Sequence, residues 1–197
     1  MSFFDNTKIA GWALFFAGLL MIVSALVGFY DAFAEHEGAG DQIGYLVIAI
    51  GALIGGLIYF GFGNSVRTGA ISEKIEIVAR LVLTVGTCTI VAAFFGIIGQ
   101  VLIEVGDLGA IGMQILSFIF GLILLWIGKT INDGKTTTFD KILWIVLVVV
   151  FIILFLVNLF GIVPIGLSSI SAILMAIIYL FLLVFMFDDD VKKKMGM

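Results

Sequence analysis

Long apolar stretches alternate with short polar segments along the whole chain, and this pattern predicts the fold. A helix needs about 20 apolar residues to cross a hydrocarbon core of roughly 30 Å. The chain has six such stretches, which predict membrane spans at residues 9–30, 43–63, 77–103, 110–128, 142–163 and 165–187. We therefore expect an all-α integral membrane protein with six transmembrane helices, in which residues 1–197 form one transmembrane domain.

The fifth and sixth stretches run together and need a turn between them. As a single helix, residues 142–187 would be about 69 Å long, more than twice the membrane thickness. Gly161 can adopt the left-handed conformation that ends many helices, and Pro164 suits the first turn of a new helix. The sequence therefore predicts a tight hairpin at Gly161–Pro164.

Composition supports a membrane location. Hydrophobic residues make up 62% of the chain and charged residues only 12%, whereas soluble domains are about 45–50% apolar and about 25% charged. A soluble core cannot absorb this excess without leaving large apolar patches exposed to water. We expect the surplus to face lipid.

Charged residues divide unequally between the two sides of the predicted bundle, and this division predicts its orientation. One side carries all ten basic residues: Lys8, Arg67, Lys74, Arg80, Lys129, Lys135, Lys141, Lys192, Lys193 and Lys194. The opposite side carries only acidic ones: Asp31, Glu35, Glu37, Asp41, Glu104 and Asp107. Because cytoplasmic loops are enriched in Lys and Arg, we expect both termini in the cytoplasm of a multi-pass protein of the plasma or cell membrane.

Glycine-containing segments recur at an offset of 65 residues. The matched pairs are Gly44 with Gly109, Gly56 with Gly121, Gly63 with Gly128 and Gly69 with Gly134. The odd-numbered spans also begin alike, at Lys8, Lys74 and Lys141. One interpretation is three tandem helical hairpins of about 65 residues, inserted in the same direction. The other is chance similarity between apolar, glycine-rich segments.

Residues for catalysis or metal binding are scarce. No HExxH, GxSxG or P-loop motif occurs, and the chain has one cysteine, Cys88, and one histidine, His36. We expect no enzyme activity, no cofactor and no metal site. Glu35, His36 and Glu37 are interpreted as a solvated loop, and Cys88 as inert packing within a span.

Uncharged polar residues cluster in the outer third of four predicted spans. The candidate outer pocket comprises Gln100, Glu104, Gln114, Asn158, Ser168, Ser169 and Ser171. Converging side chains would form a polar pocket open to the exterior, suited to a small solute or a lipid headgroup. Alternatively, these residues make hydrogen bonds between helices, worth about 0.6 kcal/mol each.

Small residues on the second span predict a helix-packing face. Gly51 and Gly55 form a GxxxG motif, and Ala52 and Gly56 repeat the spacing one position later. Small residues four positions apart let helix backbones approach closely. The face could pack inside the bundle or between copies of the chain.

Three classes of function follow. We expect a non-catalytic accessory or structural component of a membrane complex, with lipids, other membrane subunits or a second copy as partners and no nucleic acid. The alternative is a transporter or channel for a small neutral solute, lipid or ion, which requires Gln100, Gln114, Asn158 and Ser169 to converge on one cavity. An intramembrane enzyme lacks the convergent acid, base or metal groups it would need.

Overall fold

The protein is built from α-helices. The computed structural model describes residues 3–103, 108–133, 135–160 and 167–197. After a short 3-10 helix at Phe3–Asp5, the described helices are α1 (Thr7–Ala34), α2 (Ala39–Arg67), α3 (Lys74–Leu102), α4 (Leu108–Ile131), α5 (Thr138–Phe160), α6 (Leu167–Met186) and α7 (Asp189–Lys194). Helices α1 to α5 are each long and apolar enough to cross a membrane. The prediction of an all-α protein with several apolar helices of membrane-spanning length is confirmed.

The sixth predicted span falls on α6, whose apolar stretch, Ile170–Met186, is shorter than those of the other five. The hairpin predicted at Gly161–Pro164 lies outside the described residues. The amphipathic helix α7 was not predicted, because its six residues include only one apolar side chain, Val191.

Most helices extend a few residues beyond the predicted spans, because polar capping residues continue them past the apolar stretches. The Asn6 side chain accepts a hydrogen bond from the Lys8 amide at 3.0 Å and so caps α1. At the start of α5, the Asp140 carboxylate accepts from the Thr137 amide at 2.6 Å and from its hydroxyl at 2.7 Å. Hydropathy registers only the apolar part of such helices.

Consecutive helices pack antiparallel through glycine. A Cβ added at Gly56 would lie 3.0 Å from the amide nitrogen of Ile22 on α1, and one at Gly63 would lie closer still to that of Phe15. Gly56 and Gly63 are seven residues apart, and α4 carries two glycines with the same spacing. A Cβ at Gly121 would lie 3.1 Å from the amide nitrogen of Ile90, and one at Gly128 2.9 Å from that of Leu83. The α1–α2 and α3–α4 hairpins therefore share one packing geometry.

Helix α6 returns to the first half of the chain and closes a ring of four helices, α1, α2, α3 and α6. Helix α5 packs outside this ring against α6. The Trp144 indole nitrogen donates to the carbonyl oxygen of Met186 at 2.8 Å. Farther along, the rings of Phe151 and Tyr179 stack with centroids 6.3 Å apart.

The two ends of the ring differ in charge and in packing. We call the end at Arg67 and Lys74 the basic end, and the end at Asp31 and Glu35 the acidic end. In the basic half, the ring is filled by buried side chains, among them Leu14, Tyr59, Phe181 and Phe185. Large apolar side chains therefore pack the basic half of the ring.

Ion pairs hold the C-terminal segment against the basic end. Lys74 at the start of α3 pairs with both Asp5 and Asp188, and the Lys194 ammonium lies 2.7 Å from a carboxylate oxygen of Glu73. The hydrogen bond from Lys74 lowers the pKa of Asp188, and that from Lys194 lowers the pKa of Glu73. These contacts hold the C-terminal segment against the start of α3.

Candidate functional site

A cavity of about 600 Å³ occupies the acidic half of the ring. Its lining residues come from α1, α2, α3 and, through Ser171, from α6. Along α1 the lining extends from Leu20 to Ala32, about 18 Å of helix, and it continues beyond the helix end at Glu35 and His36. The cavity therefore reaches from the acidic end of the bundle to about the middle of its length.

Small residues create this space. Three helices present alanine or glycine to it: Ala25, Gly28, Ala32, Ala49, Gly51, Ala52, Gly55 and Ala92. On α1, Ala25, Gly28 and Ala32 follow a spacing of three and four residues and so share one face of the helix. The side chains of alanine and glycine are too small to fill the space between the four helices of the ring. A cavity therefore remains at its centre.

Cys88 lies at the floor of the cavity. Its thiol donates to the carbonyl oxygen of Gly55 across the α2–α3 interface, with a sulfur–oxygen distance of 3.3 Å. One helical turn beyond Gly55, toward the basic end, stands Tyr59, which is 4% exposed. The cavity is therefore closed below Cys88 and open toward the acidic end.

The mouth of the cavity is polar. Asp31, Glu35, His36 and Tyr45 line it. The rings of His36 and Tyr45 stack with centroids 3.7 Å apart and planes 9° apart. The side chain of Gln42 donates to the carbonyl oxygen of His36 at 3.0 Å, which ties the loop to α2. The segment interpreted from sequence as a solvated loop thus forms a structured rim.

Within the cavity, Cys88 stands apart from His36 and the carboxylates of the rim. Among the described residues, no group of three or more His, Cys, Asp and Glu side chains is placed to hold a metal ion. His36 stands at the rim and Cys88 at the floor, so the thiol has a backbone carbonyl rather than a base beside it. An apolar chamber with a polar rim matches the shape of an amphipathic molecule.

The predicted outer pocket residues lie in several places. Ser171 lines the cavity. Gln114 packs on α3, where a Cβ added at Gly96 would lie 2.7 Å from its Cδ, and Asn158 donates to Leu154 of its own helix at 2.8 Å. Gln100 is half-buried on α3 and does not line this cavity. Glu104 and the side chains of Ser168 and Ser169 lie outside the described part of the chain.

The small-residue face of α2 is divided among three surroundings. Gly51 faces α3, where an added Cβ would lie 2.6 Å from the Cβ of Phe95, and Gly56 faces the α1 backbone. Ala52 is exposed toward the cavity, and Gly55 stands beside Cys88. Gly51, Gly55 and Gly56 are therefore buried inside the bundle in a single copy of the chain, and Ala52 is exposed.

Sequence reasoning assigned Glu35, His36 and Cys88 to other roles, and the structure places all three on one cavity. A signal for it was present in α1. The small residues Ala25, Gly28 and Ala32 form a stripe that leads directly to Glu35 and His36. Small residues on one helix face signal close packing or a cavity, and only the positions of the neighbouring helices distinguish the two.

Comparison of the chain with protein-family models, curated proteins and solved structures finds no match. A function must therefore be inferred from the chain's own geometry. The cavity at the acidic end is the feature on which we base it.

Proposed function

We propose that the chain is a multi-pass protein of the cell membrane that binds a small amphipathic molecule in the cavity at its acidic end. Gln100, Gln114 and Asn158 do not line this cavity, so the proposal does not include the transport site predicted from those residues. The observation that carries this proposal is the cavity itself, which is apolar along its walls and polar at its rim. Its volume of about 600 Å³ lies within the range of about 300–1,000 Å³ common for small-molecule sites. No step of covalent chemistry is required of it.

The proposal includes six spans with both termini in the cytoplasm, which places the cavity mouth outside. It is supported by Lys and Arg at one end of α1, α2 and α3 and by Asp31 and Glu35 at the other. Cysteine labelling tests the orientation. In a Cys88→Ser background, Glu37→Cys should react with a membrane-impermeant maleimide in intact cells, and Thr68→Cys only after permeabilisation. The reverse pattern would overturn the orientation.

Closure of the basic half favours binding from one side over an open channel. A channel needs a continuous path, and Tyr59, Phe181 and Phe185 are buried across the ring where that path would run.

Filling the cavity tests the binding proposal. Ala52 and Ala92 are both exposed to the cavity, so Ala52→Leu and Ala92→Leu should occupy its volume without displacing a packed neighbour. We expect either variant to weaken binding of single-chain amphiphiles at least tenfold in lipid nanodiscs, measured by their protection of Cys88 from alkylation. The matched control is Gly112→Leu, because a Cβ at Gly112 meets nothing within 4 Å.

Two results would reject the proposal. If no amphiphile of any charge protects Cys88 or raises the unfolding temperature of the unmodified protein, the cavity is not a binding site. If Gly112→Leu weakens protection as much as Ala52→Leu does, the effect is not specific to the cavity.

The repeated glycine geometry supports the interpretation of the chain as tandem hairpins. Gly56 and Gly63 meet the backbone nitrogens of Ile22 and Phe15, and the residues 65 positions later, Gly121 and Gly128, meet Ile90 and Leu83. The partners on the first helix of each hairpin are thus 68 residues apart in both cases. The equal offset follows from the spacing of seven residues within each glycine pair, and it is the recurrence of that spacing with a backbone contact that supports a repeat. The α5–α6 hairpin packs through aromatic residues instead.

A role in a larger membrane complex is a second proposal, and α4 is the helix that favours it. This helix carries a continuous apolar surface with Leu116, Ile119, Phe120 and Ile123 each at least 46% exposed. Lipid or another membrane helix would cover that surface. Copurification from native membranes in a mild detergent, with mass spectrometry, tests the proposal. Partner chains that copurify with the unmodified protein and with Val149→Ser, but not with Phe120→Ser, would support a role in a complex. Recovery of the unmodified chain without partners would reject that role.

A further inference from the structure

A second apolar space adjoins the cavity at one residue. A groove of about 360 Å³ runs between α1 and α6, and its lining includes Phe16, Leu19, Ile170 and Ile173 on the surface of the bundle. Leu20 lines both this groove and the cavity. Leu20 therefore borders both the inside of the ring and the surface that would face the hydrocarbon of a bilayer.

The rim of the cavity has one sign of formal charge. Asp31 and Glu35 supply carboxylates, and the stacked rings of His36 and Tyr45 supply an aromatic surface. The Lys and Arg side chains of α1, α2 and α3 lie at the opposite end of the bundle. Carboxylates beside an aromatic ring attract a cationic group, and more strongly so where water is partly excluded.

The volume limits the size of the ligand. A water-sized group takes up about 30 Å³, so about 600 Å³ accommodates about 20 such groups. That is enough for one hydrocarbon chain of medium length with a small headgroup.

From these three observations we infer that the ligand is a single-chain amphiphile with a cationic headgroup, which reaches the cavity from the bilayer between α1 and α6, past Leu20. The headgroup binds at the rim formed by Asp31 and Glu35, and the chain extends along the small-residue walls toward Cys88. This inference rests on the binding role proposed above. It adds the charge of the ligand and the route by which the ligand enters.

The charge is tested with two probes that share a chain. Cys88 is the single cysteine of the protein, so its alkylation by N-ethylmaleimide reports on the cavity floor alone. In nanodiscs, decyltrimethylammonium should slow this alkylation at least tenfold, and decyl sulfate less than twofold. Tetramethylammonium, which lacks the chain, should have no effect. Unfolding by a detergent-like probe would accelerate alkylation and is thereby distinguished from binding.

Substitutions at the rim locate the charge preference. Asp31→Asn combined with Glu35→Gln should remove at least nine-tenths of the protection by decyltrimethylammonium. The control is Glu37→Gln, which changes a carboxylate in the same loop that does not line the cavity. Equal protection by the two decyl probes, or full protection in the double variant, would overturn the cationic ligand while leaving binding in the cavity intact. Protection by neither probe, with no rise in unfolding temperature, would reject both.

The route is tested by kinetics. Ile173 lines the groove but not the cavity, so Ile173→Trp should obstruct the passage without changing the bound state. Dissociation of tritiated decyltrimethylammonium, followed by rapid dilution and filtration, should slow at least fivefold with Kd changed less than twofold. Ile123→Trp, on the surface of α4, is the control. Unchanged dissociation in Ile173→Trp would overturn entry between α1 and α6.

Discussion

The thiol of Cys88 donates a hydrogen bond to the carbonyl oxygen of Gly55, 33 positions earlier in the chain, at a sulfur–oxygen distance of 3.3 Å. The contact brings α3 against α2 at the cavity floor. One turn toward the acidic end, Gly51 is covered by the side chain of Phe95 instead. The two glycines of one GxxxG motif therefore have different surroundings, and they should respond differently to the same substitution.

Gly51→Ala should destabilise the protein and Gly55→Ala should not. A Cβ at Gly51 would lie 2.6 Å from the Cβ of Phe95, whereas one at Gly55 would lie at ordinary contact distances of 3.7 and 3.9 Å from Cβ and Sγ of Cys88. Overpacking of this kind costs about 1–3 kcal/mol. Thermal unfolding in detergent measures both variants. Equal losses of stability would contradict the asymmetry.

The shared glycine geometry of the first two hairpins predicts parallel mutational effects. Gly63→Ala and Gly128→Ala should each lower the unfolding temperature by several degrees, because an added methyl group would overlap backbone atoms of α1 and α3 respectively. Gly61→Ala and Gly112→Ala are controls in open space. They should be neutral or stabilising by about 0.5–1 kcal/mol, since alanine favours a helix over glycine. A stable Gly128→Ala would contradict the equivalence of the two hairpins.

At the basic end, Arg67 of α2 stacks its planar guanidinium group on aromatic rings of α1. Its central carbon lies 4.4 Å from the ring centroid of Trp12 and 4.5 Å from that of Phe15, and the group donates to Asn64 at 2.7 Å. Lysine keeps the charge but cannot stack in this way. Arg67→Lys should therefore lose about 0.5–2 kcal/mol of stability. Arg80→Lys, on an exposed side chain paired within its own helix, should change stability little in the same unfolding assay.

Acid should release the C-terminal segment from α3. Because Lys74 holds the pKa of Asp188 below its ordinary value of 3.8, this carboxylate stabilises the fold at higher pH. That stabilisation is lost as the pH falls from 3.8, the ordinary pKa of the unfolded chain, through the lower pKa of Asp188 in the folded protein. Unfolding temperatures of the unmodified protein and of Asp188→Asn should differ most near neutral pH and converge in acid.

The neighbouring residue supplies the control for this pH effect. The Asp189 side chain is fully exposed, and its nearest cation is Lys192 at 3.8 Å. Asp189→Asn should leave the unfolding temperature nearly unchanged at every pH. A difference between Asp188→Asn and the unmodified protein that persists undiminished in acid would contradict the ionic origin of the effect.

The helices were predictable from sequence because lipid imposes a simple rule on length and hydropathy. Five predicted spans correspond to α1 to α5, and the errors at their ends come from polar caps such as Asn6 and Asp140. The placement of the polar residues was harder to predict. Asn158 satisfies its amide within its own helix, and Gln114 fills space above Gly96, so neither side chain needed a shared pocket.

The cavity could not be predicted, because it depends on which small residues are covered. Gly51 and Ala52 are adjacent in sequence, yet Gly51 is covered by Phe95 and Ala52 is exposed. Whether a neighbouring helix places a phenylalanine or an alanine beside a given residue depends on how far the two helices are shifted along each other. We call this shift the tertiary register. Hydropathy contains no information about that register, and a single sequence supplies no other measure of it.

The closing of the ring by α6 has a consequence for biosynthesis. Helices α1 to α4 contact their neighbours in sequence, so their hairpins can assemble as each pair leaves the translocon. The wall containing Ser171 and the groove shared with Leu20 form only when α6 returns to α1. A ribosome-bound chain that ends after α4 therefore carries the α1, α2 and α3 lining of the cavity but lacks its α6 wall and one side of the groove.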